Sequence, residues 1–380
     1  MSPIAPPMPR QPARTAVPHG GPDYAELAAL GIRPENLLDF SVNSNPLGPS
    51  PRALRVLPLV DVAAYPDTEA IRLRAGLAAE HDVRPDEILV GNGSVELIWL
   101  LAQAYLRAGD CALVVGPTFG EYAAAARRAG AEVVEMLGHG PDANLLGRGA
   151  DATVPVHGAD DLYPSPSDVV DAIAAHRPRA IFVCHPNNPT GHVWTLDAIA
   201  ALLAACGEAL LIVDEAYIDF ADGVASALDL RADGRLVVLR SLTKNFALAG
   251  LRLGYAVAHP SVIEAIDGAR PPWTVNALAQ AAGLAALGDR EHLTAGVQVA
   301  RKARALLVDG LTRMGLPCVP TRTHYWLVRV GDAATTRREL LRRGILVRDC
   351  TSFGLPEYVR IAARPLDECQ RLLDMMGGLV

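Results

Sequence analysis

The stretch ALLIVDEAY at residues 209–217 and the stretch RSLTKNFALAGLR at residues 240–252 decide the fold class of this chain. The first stretch is an apolar, β-rich run that ends in the carboxylate of Asp214. The second follows another apolar run and places the amine of Lys244 among hydroxyls and near a second cation. In a parallel sheet, ligands bind beyond the carboxyl ends of the strands, and the charged side chains of both stretches fall at such positions.

Short apolar runs alternate with alanine-rich segments of helical period from about residue 88 to residue 260. This alternation predicts an α/β domain in which a mostly parallel sheet lies between helices, giving three layers. The predicted strands are residues 112–115, 131–136, 180–184, 209–213, 236–239 and 254–258.

The pattern changes after about residue 285 and predicts a smaller C-terminal α+β domain. There a long helical stretch runs to about residue 314, and three strand candidates and two helices follow, with the strands at 325–330, 345–348 and 358–362. Residues 138–168 are dense in Gly, Asp, Pro and His and predict an irregular excursion. We predict four parts, namely a disordered proline-rich leader (1–18), a segment over the active site (19–50), a large domain (51–284) and a small domain (285–380).

Composition restricts the classes of partner. The net charge of -7 argues against a nucleic-acid surface, because phosphate backbones are held by clustered cations. Six scattered cysteines without C-x-x-C spacing predict reduced thiols and a cytoplasmic location. The sequence has no metal-ligand spacing and no apolar run long enough for a bilayer, so we expect neither a metal nor a membrane partner.

Lys244 and Arg252 together favour a covalent pyridoxal phosphate site. The aldehyde of this cofactor needs an amine to form a Schiff base, and its phosphate needs hydroxyls, backbone N–H groups and a permanent cation. The pKa of a lysine falls readily when the amine is desolvated or lies near another cation, which makes it nucleophilic. A lysine taken alone is far more often a solvated surface residue, and the other residues of the site decide against that for Lys244.

Asp214 would face the pyridine nitrogen and keep it protonated, so that the ring accepts electrons from the substrate. The run that contains it also resembles the Walker-B strand of an ATPase. That alternative requires a G-x-x-x-x-G-K-[ST] loop to hold the phosphates, and the chain has none.

The run GNGSVE at residues 91–96 precedes a helical segment, where backbone N–H groups favour a phosphate. A plain turn with a helix cap is an equal alternative. Phe119 is placed to stack on a planar ring or to pack in the core, and Asn188 and Tyr217 to donate to a ring oxygen. Arg360 offers a bidentate clamp for a substrate carboxylate, although by sequence alone it is also a candidate surface arginine.

These residues together resemble the fold-type I pyridoxal phosphate enzymes of the class I and II aminotransferase superfamily. The likeness runs from about residue 19 to the C-terminus and rests on the order and spacing of several motifs. The motifs are NNPTG (187–191), DEAY (214–217), SLTK (241–244), GLRLGY (250–255) and VRI (359–361).

The resemblance implies a role for each matching residue. Lys244 would carry the Schiff base and act as general base or acid, Asp214 would pair with the pyridinium, and Phe119 would stack on the ring. Asn188 and Tyr217 would contact the ring hydroxyl. The cofactor phosphate would be held by Ser241, Thr243, Arg252 and the amides of Gly93, Ser94 and Val95.

The resemblance also implies a substrate pocket and a homodimer with shared active sites. Arg360, with Asn188 beside it, would bind the substrate carboxylate. Tyr65 looks like the tyrosine that reaches the cofactor phosphate of the neighbouring subunit.

Two branches of the superfamily compete, and both act on amines that carry a phosphate monoester. The runs HGG (19–21), DFSVNSNPLG (39–48), RSLTK (240–244) and PWTVNAL (272–278) look more like the threonine-phosphate decarboxylase of cobalamin biosynthesis. We therefore predict this decarboxylase, with histidinol-phosphate aminotransferase as the alternative. Arg348 and His19 are the candidates for the substrate phosphate. A catalytically silent member that binds a partner is the third reading, and the full set of cofactor residues argues against it.

Overall fold

The computed structural model describes Val17 and residues 19–137, 153–155 and 162–378. The predicted disordered leader, apart from Val17, therefore lies outside the described residues. Residues 138–152 and 156–161 of the predicted irregular excursion lie outside them too.

The first half of the chain supplies helices α1 to α7 and strands β1 to β6. In chain order they are α1 Tyr24–Ala29, β1 Leu38–Asp39, α2 Pro51–Val56, α3 Ile71–His81, β2 Ile88–Gly91, α4 Ser94–Tyr105, β3 Cys111–Val115, α5 Glu121–Ala129, β4 Glu132–Leu137, β5 Thr153–Pro155, α6 Pro166–His176, β6 Ala180–Cys184 and α7 Leu196–Ala205.

The second half supplies the remaining elements. They are β7 Leu210–Asp214, β8 Leu236–Ser241, α8 Leu242–Asn245, β9 Gly254–Ala258, α9 Pro260–Asp267, α10 Ala277–Leu287, α11 Arg290–Arg313, β10 Tyr325–Arg329, α12 Ala333–Arg342, β11 Ile345–Leu346, β12 Arg348–Asp349, β13 Tyr358–Ala362 and α13 Leu366–Met376.

An eight-stranded sheet with the order β2-β9-β8-β7-β6-β3-β4-β5 forms the centre of the large domain. Strand β9 is antiparallel to both of its neighbours, whereas the pairs from β8 to β5 are parallel. Alternate residues of β6 belong to two separate apolar cores, with Ile181 and Val183 in one and Ala180 and Phe182 in the other. Helices α4, α5 and α9 cover one face, and α3, α6, α7 and α10 cover the other. The three-layer α/β prediction is confirmed.

The six strands predicted in this domain correspond to β3, β4, β6, β7, β8 and β9. Strand β8 extends two residues beyond the apolar run, because Arg240 and Ser241 continue the ladder with β9. The sequence did not predict β2 or the three-residue β5. It also missed helix α6, which begins at Pro166 inside the predicted excursion, where Ser165 caps it and Pro166 starts its first turn.

The C-terminal part contains the antiparallel sheet β10-β13-β12 with helices α11, α12 and α13, which confirms a smaller α+β unit. The predicted helical stretch from residue 285 to 314 is wrong in one respect, because α10 ends at Leu287 and α11 begins at Arg290. Asp289 separates the two helices, and its carboxylate accepts a hydrogen bond from Ser50 at 2.5 Å. Strand β1 pairs in parallel with β11, so the N-terminal segment also contacts this unit. The exact domain bounds stay a prediction.

Within the described ranges, no helix combines the length and the apolar character that a bilayer crossing requires.

Candidate active site

A pocket of about 1350 Å³ opens beyond the carboxyl ends of the parallel strands. Strands β6, β7 and β8 end at Cys184, Asp214 and Ser241, and all three residues line it. Most of the residues predicted from sequence are brought together here. They are His19, Ser94, Val95, Phe119, Asn188, Asp214, Tyr217, Ser241, Thr243, Lys244, Arg252, Arg348 and Arg360.

Lys244 lies on the short helix α8, directly after β8, and the N-terminal segment fixes this turn. The Asn45 backbone N–H donates to the Lys244 carbonyl at 2.9 Å, and the Asn45 side chain donates to the Asn245 carbonyl at 2.9 Å. Burial lowers the pKa of the Lys244 amine to about 8, and the cations Arg360 and Arg252 act in the same direction. The amine is therefore a far better nucleophile near neutral pH than a solvated lysine.

Asp214 presents a buried carboxylate to the pocket. It accepts hydrogen bonds from the Tyr122 hydroxyl at 2.8 Å and from the Ala216 backbone N–H at 3.0 Å. Burial raises the pKa of the Asp214 carboxyl, whereas these two hydrogen bonds and the charge of Lys244 favour its ionised form. A cationic ring nitrogen would favour the ionised form further.

Sequence reasoning missed Tyr122, although its position three residues after Phe119 was a usable signal. The Tyr122 ring stacks on Phe182 with centroids 5.5 Å apart and meets the Phe119 ring edge-on at 5.7 Å. Phe119 lines the pocket, so this packing holds an aromatic face beside the Asp214 carboxylate.

A corner suited to a phosphate lies at the start of helix α4. The hydroxyls of Ser241 and Thr243 are 2.6 Å apart, and Arg252 reaches the backbone of Gly93 so closely that a Cβ there would lie 2.5 Å from Nη2. Gly254 plays a similar part, because a Cβ on it would lie 2.4 Å from the Ser94 nitrogen. Glycine at positions 93 and 254 therefore allows the N-terminus of α4, the Arg252 guanidinium and strand β9 to pack closely together.

The donor set fits pyridoxal phosphate, the cofactor that the sequence resemblance implies. An amine with a lowered pKa suits the aldehyde, and hydroxyls, a guanidinium and a helix N-terminus suit the phosphate. Buried Asp214 and the aromatic face of Phe119 suit the ring.

In the part of the chain that the structure describes, no group of three or more His, Cys, Asp or Glu side chains could hold a metal.

Arg360 extends from β13 into the pocket, but the protein already occupies both of its terminal nitrogens. Nη2 donates to the Ser41 carbonyl at 2.5 Å, and Nη1 donates to the Asn188 side-chain oxygen. Each terminal nitrogen carries two N–H groups, so each keeps one N–H beyond these bonds. The role of Arg360 as a clamp for a substrate carboxylate stays a prediction.

Arg348 faces Arg360 across the β12–β13 pair. It donates to the Ser352 hydroxyl at 2.8 Å, and its guanidinium carbon lies 5.3 Å from the Phe353 ring centroid. Burial lowers the pKa of Arg348, and the neighbouring Arg360 charge adds to the effect. The pocket thus holds two adjacent cations.

His19 lies at the mouth of the pocket, where its Nε2 is 3.0 Å from the buried carboxylate of Glu121. The other Glu121 oxygen accepts from the Trp99 indole N–H at 2.7 Å. Sequence reasoning missed both Glu121 and Trp99, which line the pocket. Nothing in the one-dimensional pattern distinguished them from ordinary residues of helices α4 and α5.

Two of the predicted residues do not line the pocket of their own chain. Gly93 lies beneath Arg252 at its edge. Tyr65 is 80% exposed and stacks on Trp273, with ring centroids 4.8 Å apart. A residue that reaches the active site of a neighbouring subunit has to lie outside the pocket of its own chain, as Tyr65 does.

Comparisons with known proteins identify the family of the chain. Residues 35–376 match the family model of the class I and II aminotransferases. The histidinol-phosphate aminotransferase of Symbiobacterium thermophilum is 37% identical over 352 residues, which cover 91% of each chain.

Two solved structures share the fold. The histidinol-phosphate aminotransferase of Sinorhizobium meliloti, in complex with pyridoxal-5'-phosphate, has a TM-score of 0.81 at 22% identity, with 96% of each chain covered. The L-threonine-O-3-phosphate decarboxylase of Porphyromonas gingivalis has a TM-score of 0.73 at 25% identity, with 90% of this chain and 99% of that chain covered. The chain belongs to the class I and II aminotransferase family and is a pyridoxal-phosphate-dependent enzyme.

Proposed function

We propose that this enzyme transfers the amino group of histidinol phosphate, a phosphorylated amino alcohol, to a 2-oxo acid. The observation that carries the proposal is the 37% identity to a histidinol-phosphate aminotransferase over 91% of both chains. The motifs of the sequence favoured the threonine-phosphate decarboxylase, and the similarity to this relative favours the alternative instead.

When bound, pyridoxal phosphate supplies an aldehyde that captures the amino substrate and a ring that accepts electrons from its α-carbon. Lys244 holds the cofactor through its amine and afterwards moves the α-proton with Nζ, which its lowered pKa makes competent near neutral pH. Asp214 binds the ring nitrogen and keeps it protonated. Asn188 and Tyr217 orient the ring through its hydroxyl.

The remaining cofactor residues bind and orient. Phe119 stacks on one face of the ring, and the cofactor phosphate is held by Ser241, Thr243, Arg252 and the backbone N–H groups of Gly93, Ser94 and Val95. Support comes from the 2.6 Å hydroxyl pair and from the close approach of Arg252 to Gly93.

Arg360 binds the carboxylate of the amino acid or 2-oxo acid, and Arg348 and His19 bind the substrate phosphate. The support is that Arg348 and Arg360 face each other on adjacent strands, which provides separate cations for the two anions. His19 lines the same pocket, with its Nε2 3.0 Å from the Glu121 carboxylate.

Decarboxylation of threonine O-phosphate is the second candidate. The structural likeness to the Porphyromonas gingivalis decarboxylase, at 25% identity over 90% of the chain, supports it. The same side chains could serve either reaction. Threonine O-phosphate carries an α-carboxylate that can leave as carbon dioxide, whereas histidinol phosphate carries none, so only its α-proton can leave.

We also propose a homodimer with shared active sites, in which Tyr65 reaches the cofactor phosphate of the partner subunit. An exposed apolar surface supports it. Leu59, Val62, Tyr65 and Ile71 lie close together in sequence, Trp273 stacks on Tyr65, and each of the five is between 48% and 81% exposed. Monomers rarely expose large apolar side chains so close together.

Two further parts of the proposal concern organisation and location. Residues 19–50 form a segment over the active site, and the contacts of Ser41 with Arg360 and of Asn45 with Lys244 support this.

The enzyme works in the reducing cytoplasm, and the six unpaired thiols support this, because paired cysteines mark oxidising compartments.

The test is to incubate purified holoenzyme with histidinol phosphate and 2-oxoglutarate, and separately with threonine O-phosphate. We expect glutamate to form in the first reaction and no carbon dioxide in the second, with neither product from Lys244→Ala. Carbon dioxide release without glutamate would reverse the order of the two candidates. Turnover of neither substrate would contradict the proposal.

A further inference from the structure

Four connected polar side chains lie just outside the lining of the active-site pocket. We call them the polar layer, and they are Glu215, Asp219, Arg240 and Asn245. Three of them are direct chain neighbours of residues that line the pocket, namely Asp214, Ser241 and Lys244. The polar layer is therefore joined through the backbone to three residues of the proposed cofactor site.

Arg240 is the centre of the polar layer. Its Nε lies 2.9 Å from a Glu215 carboxylate oxygen, and the two side chains are 8% and 0% exposed. Its Nη1 lies 3.7 Å from the Asp219 carboxylate. The Glu215 carboxylate also accepts from the Ser226 hydroxyl at 2.8 Å and from the Ala227 backbone N–H at 2.6 Å. The Arg240–Glu215 ion pair is thus fixed in position from several sides.

Asp219 connects this ion pair to the helix that carries Lys244. Its second carboxylate oxygen accepts from the Asn245 side-chain amide at 2.8 Å. Asn245 is the last residue of α8 and directly follows Lys244. A helix of four residues has too few hydrogen bonds of its own to be rigid, so the Asp219–Asn245 bond provides an attachment from outside. A movement of α8 would move the Lys244 amine with it.

Neither net stability nor ligand binding explains the polar layer well. A buried ion pair is often no more stabilising than apolar side chains of the same size, because desolvation of the charges opposes their attraction. The cavity beside Asp219, Arg240 and Asn245 has a volume of about 20 Å³, which is enough for about one water molecule. A geometric role remains, in which the layer fixes the position of the residues next to it.

We propose that Asp219 is a positioning residue for Lys244. Through Asn245 it holds helix α8 so that the Lys244 amine meets the aldehyde of the cofactor in a reactive orientation. A displacement of about 1 Å at a reacting group can slow a reaction roughly 100-fold. The inference rests on the proposed attachment of the cofactor to Lys244 and is independent of which substrate the enzyme takes.

The experiment compares two forms of the vitamin on the apoenzyme of Asp219→Ala. Pyridoxal phosphate reacts with the Lys244 amine, and its capture at saturating cofactor is followed by stopped-flow spectroscopy. Pyridoxamine phosphate carries an amine in place of the aldehyde, so it binds without reacting, and calorimetry gives its dissociation constant. We expect Asp219→Ala to slow the capture roughly 10- to 100-fold and to leave the dissociation constant of pyridoxamine phosphate unchanged.

Two further variants sharpen the comparison. Asp219→Asn keeps an oxygen that accepts from Asn245, so it should restore most of the capture rate. Asp233→Ala is the matched control, because the Asp233 side chain is 29% exposed against 32% for Asp219 and bonds to Arg235 just before the opposite end of β8. This variant should change neither the capture rate nor the pyridoxamine phosphate affinity.

An unchanged capture rate in Asp219→Ala would overturn the inference. Equal losses of capture rate and of pyridoxamine phosphate affinity would overturn it too, because they would indicate general damage to the pocket. The same holds if Asp219→Asn restores nothing, or if Asp233→Ala slows the capture as much as Asp219→Ala. Borohydride reduction and mass spectrometry test the attachment to Lys244 separately, so the two failures can be told apart.

Discussion

The Lys244 amine owes its lowered pKa to burial and to two cations, Arg360 and Arg252, that the account also assigns to ligand binding. The same two side chains would therefore prepare the amine for the cofactor and then bind anions beside it. Once a phosphate and a carboxylate neutralise Arg252 and Arg360, the shift of the Lys244 pKa becomes smaller. Ligand binding and proton transfer are coupled through these charges.

The capture of pyridoxal phosphate by the apoenzyme should therefore depend on pH in a defined direction. Only the neutral amine reacts, and its fraction rises as the pH rises through the pKa. We predict that the capture rate, followed by stopped-flow spectroscopy, increases with pH around a midpoint of about 8. Arg360→Met removes one cation and should move the midpoint to higher pH. A midpoint near that of a solvated lysine, about 10.4, would contradict this description of the site.

At the scale of single residues, the sequence predicted the side chains whose chemistry is distinctive in itself. Lys244, Asp214 and Arg252 follow strands in a recognisable order, and the structure brings them to one pocket. Tyr122 was missed although it follows Phe119 by three residues, because its hydrogen bond to Asp214 joins distant parts of the chain. The same reason hid the hydrogen bonds of Arg360 to Ser41 and Asn188.

The start of helix α4 depends on a glycine whose lack of a side chain makes room for Arg252. Gly93 has a φ of +79° and Gly109 a φ of +91°, so alanine is strained at either position. Only at Gly93 would the new Cβ also displace a guanidinium, because Gly109 has nothing within 4 Å. The two positions form a matched pair for testing the phosphate corner.

We predict that Gly93→Ala weakens pyridoxal phosphate binding roughly 10- to 100-fold, as expected for one lost charge-assisted hydrogen bond. Gly109→Ala should lower the melting temperature through the same backbone strain but keep the cofactor affinity. Equilibrium titration of the apoenzymes with pyridoxal phosphate makes the comparison. Equal losses of affinity in both variants would mean that strain alone, and not Arg252, accounts for the effect.

At the scale of elements, the sequence predicted the strands that are buried on both faces, because each forms a continuous apolar run. It gave no sign that β9 runs antiparallel, since direction follows from the connections on either side. The break between α10 and α11 at Gly288 and Asp289 was also missed. Helix-forming sequence flanks it on both sides, and the Ser50–Asp289 hydrogen bond that marks it is long-range.

The proposed dimer would place the exposed apolar surface around Leu59 and Tyr65 next to the active site of the partner subunit. If two subunits bury this surface, the partner's phosphate corner is completed by Tyr65. We predict that Leu59→Asp halves the mass of the particle measured by light scattering and weakens cofactor binding. Leu366→Asp, at a leucine that is 42% exposed in the small domain, should leave both unchanged. A wild-type particle with the mass of one chain would refute the dimer.

At the scale of the whole molecule, the order of the motifs was enough to predict the fold class and the cofactor. The reaction could not be predicted in the same way. The motifs favoured a decarboxylase, whereas the relative at 37% identity is an aminotransferase. The physical reason is that both reactions use the same cofactor-binding side chains, while the two candidate substrates differ in whether they carry an α-carboxylate that can leave.

The covalent attachment of pyridoxal phosphate to Lys244 is the central claim, and the composition of the chain makes it unusually easy to test. The chain contains two lysines, Lys244 in the pocket and Lys302 on the exposed side of α11. The holoenzyme is reduced with borohydride, digested and analysed by mass spectrometry. We predict the cofactor on the peptide that contains Lys244, its retention in Lys302→Ala and its loss in Lys244→Ala. Cofactor found on Lys302, or on no peptide, would contradict the account.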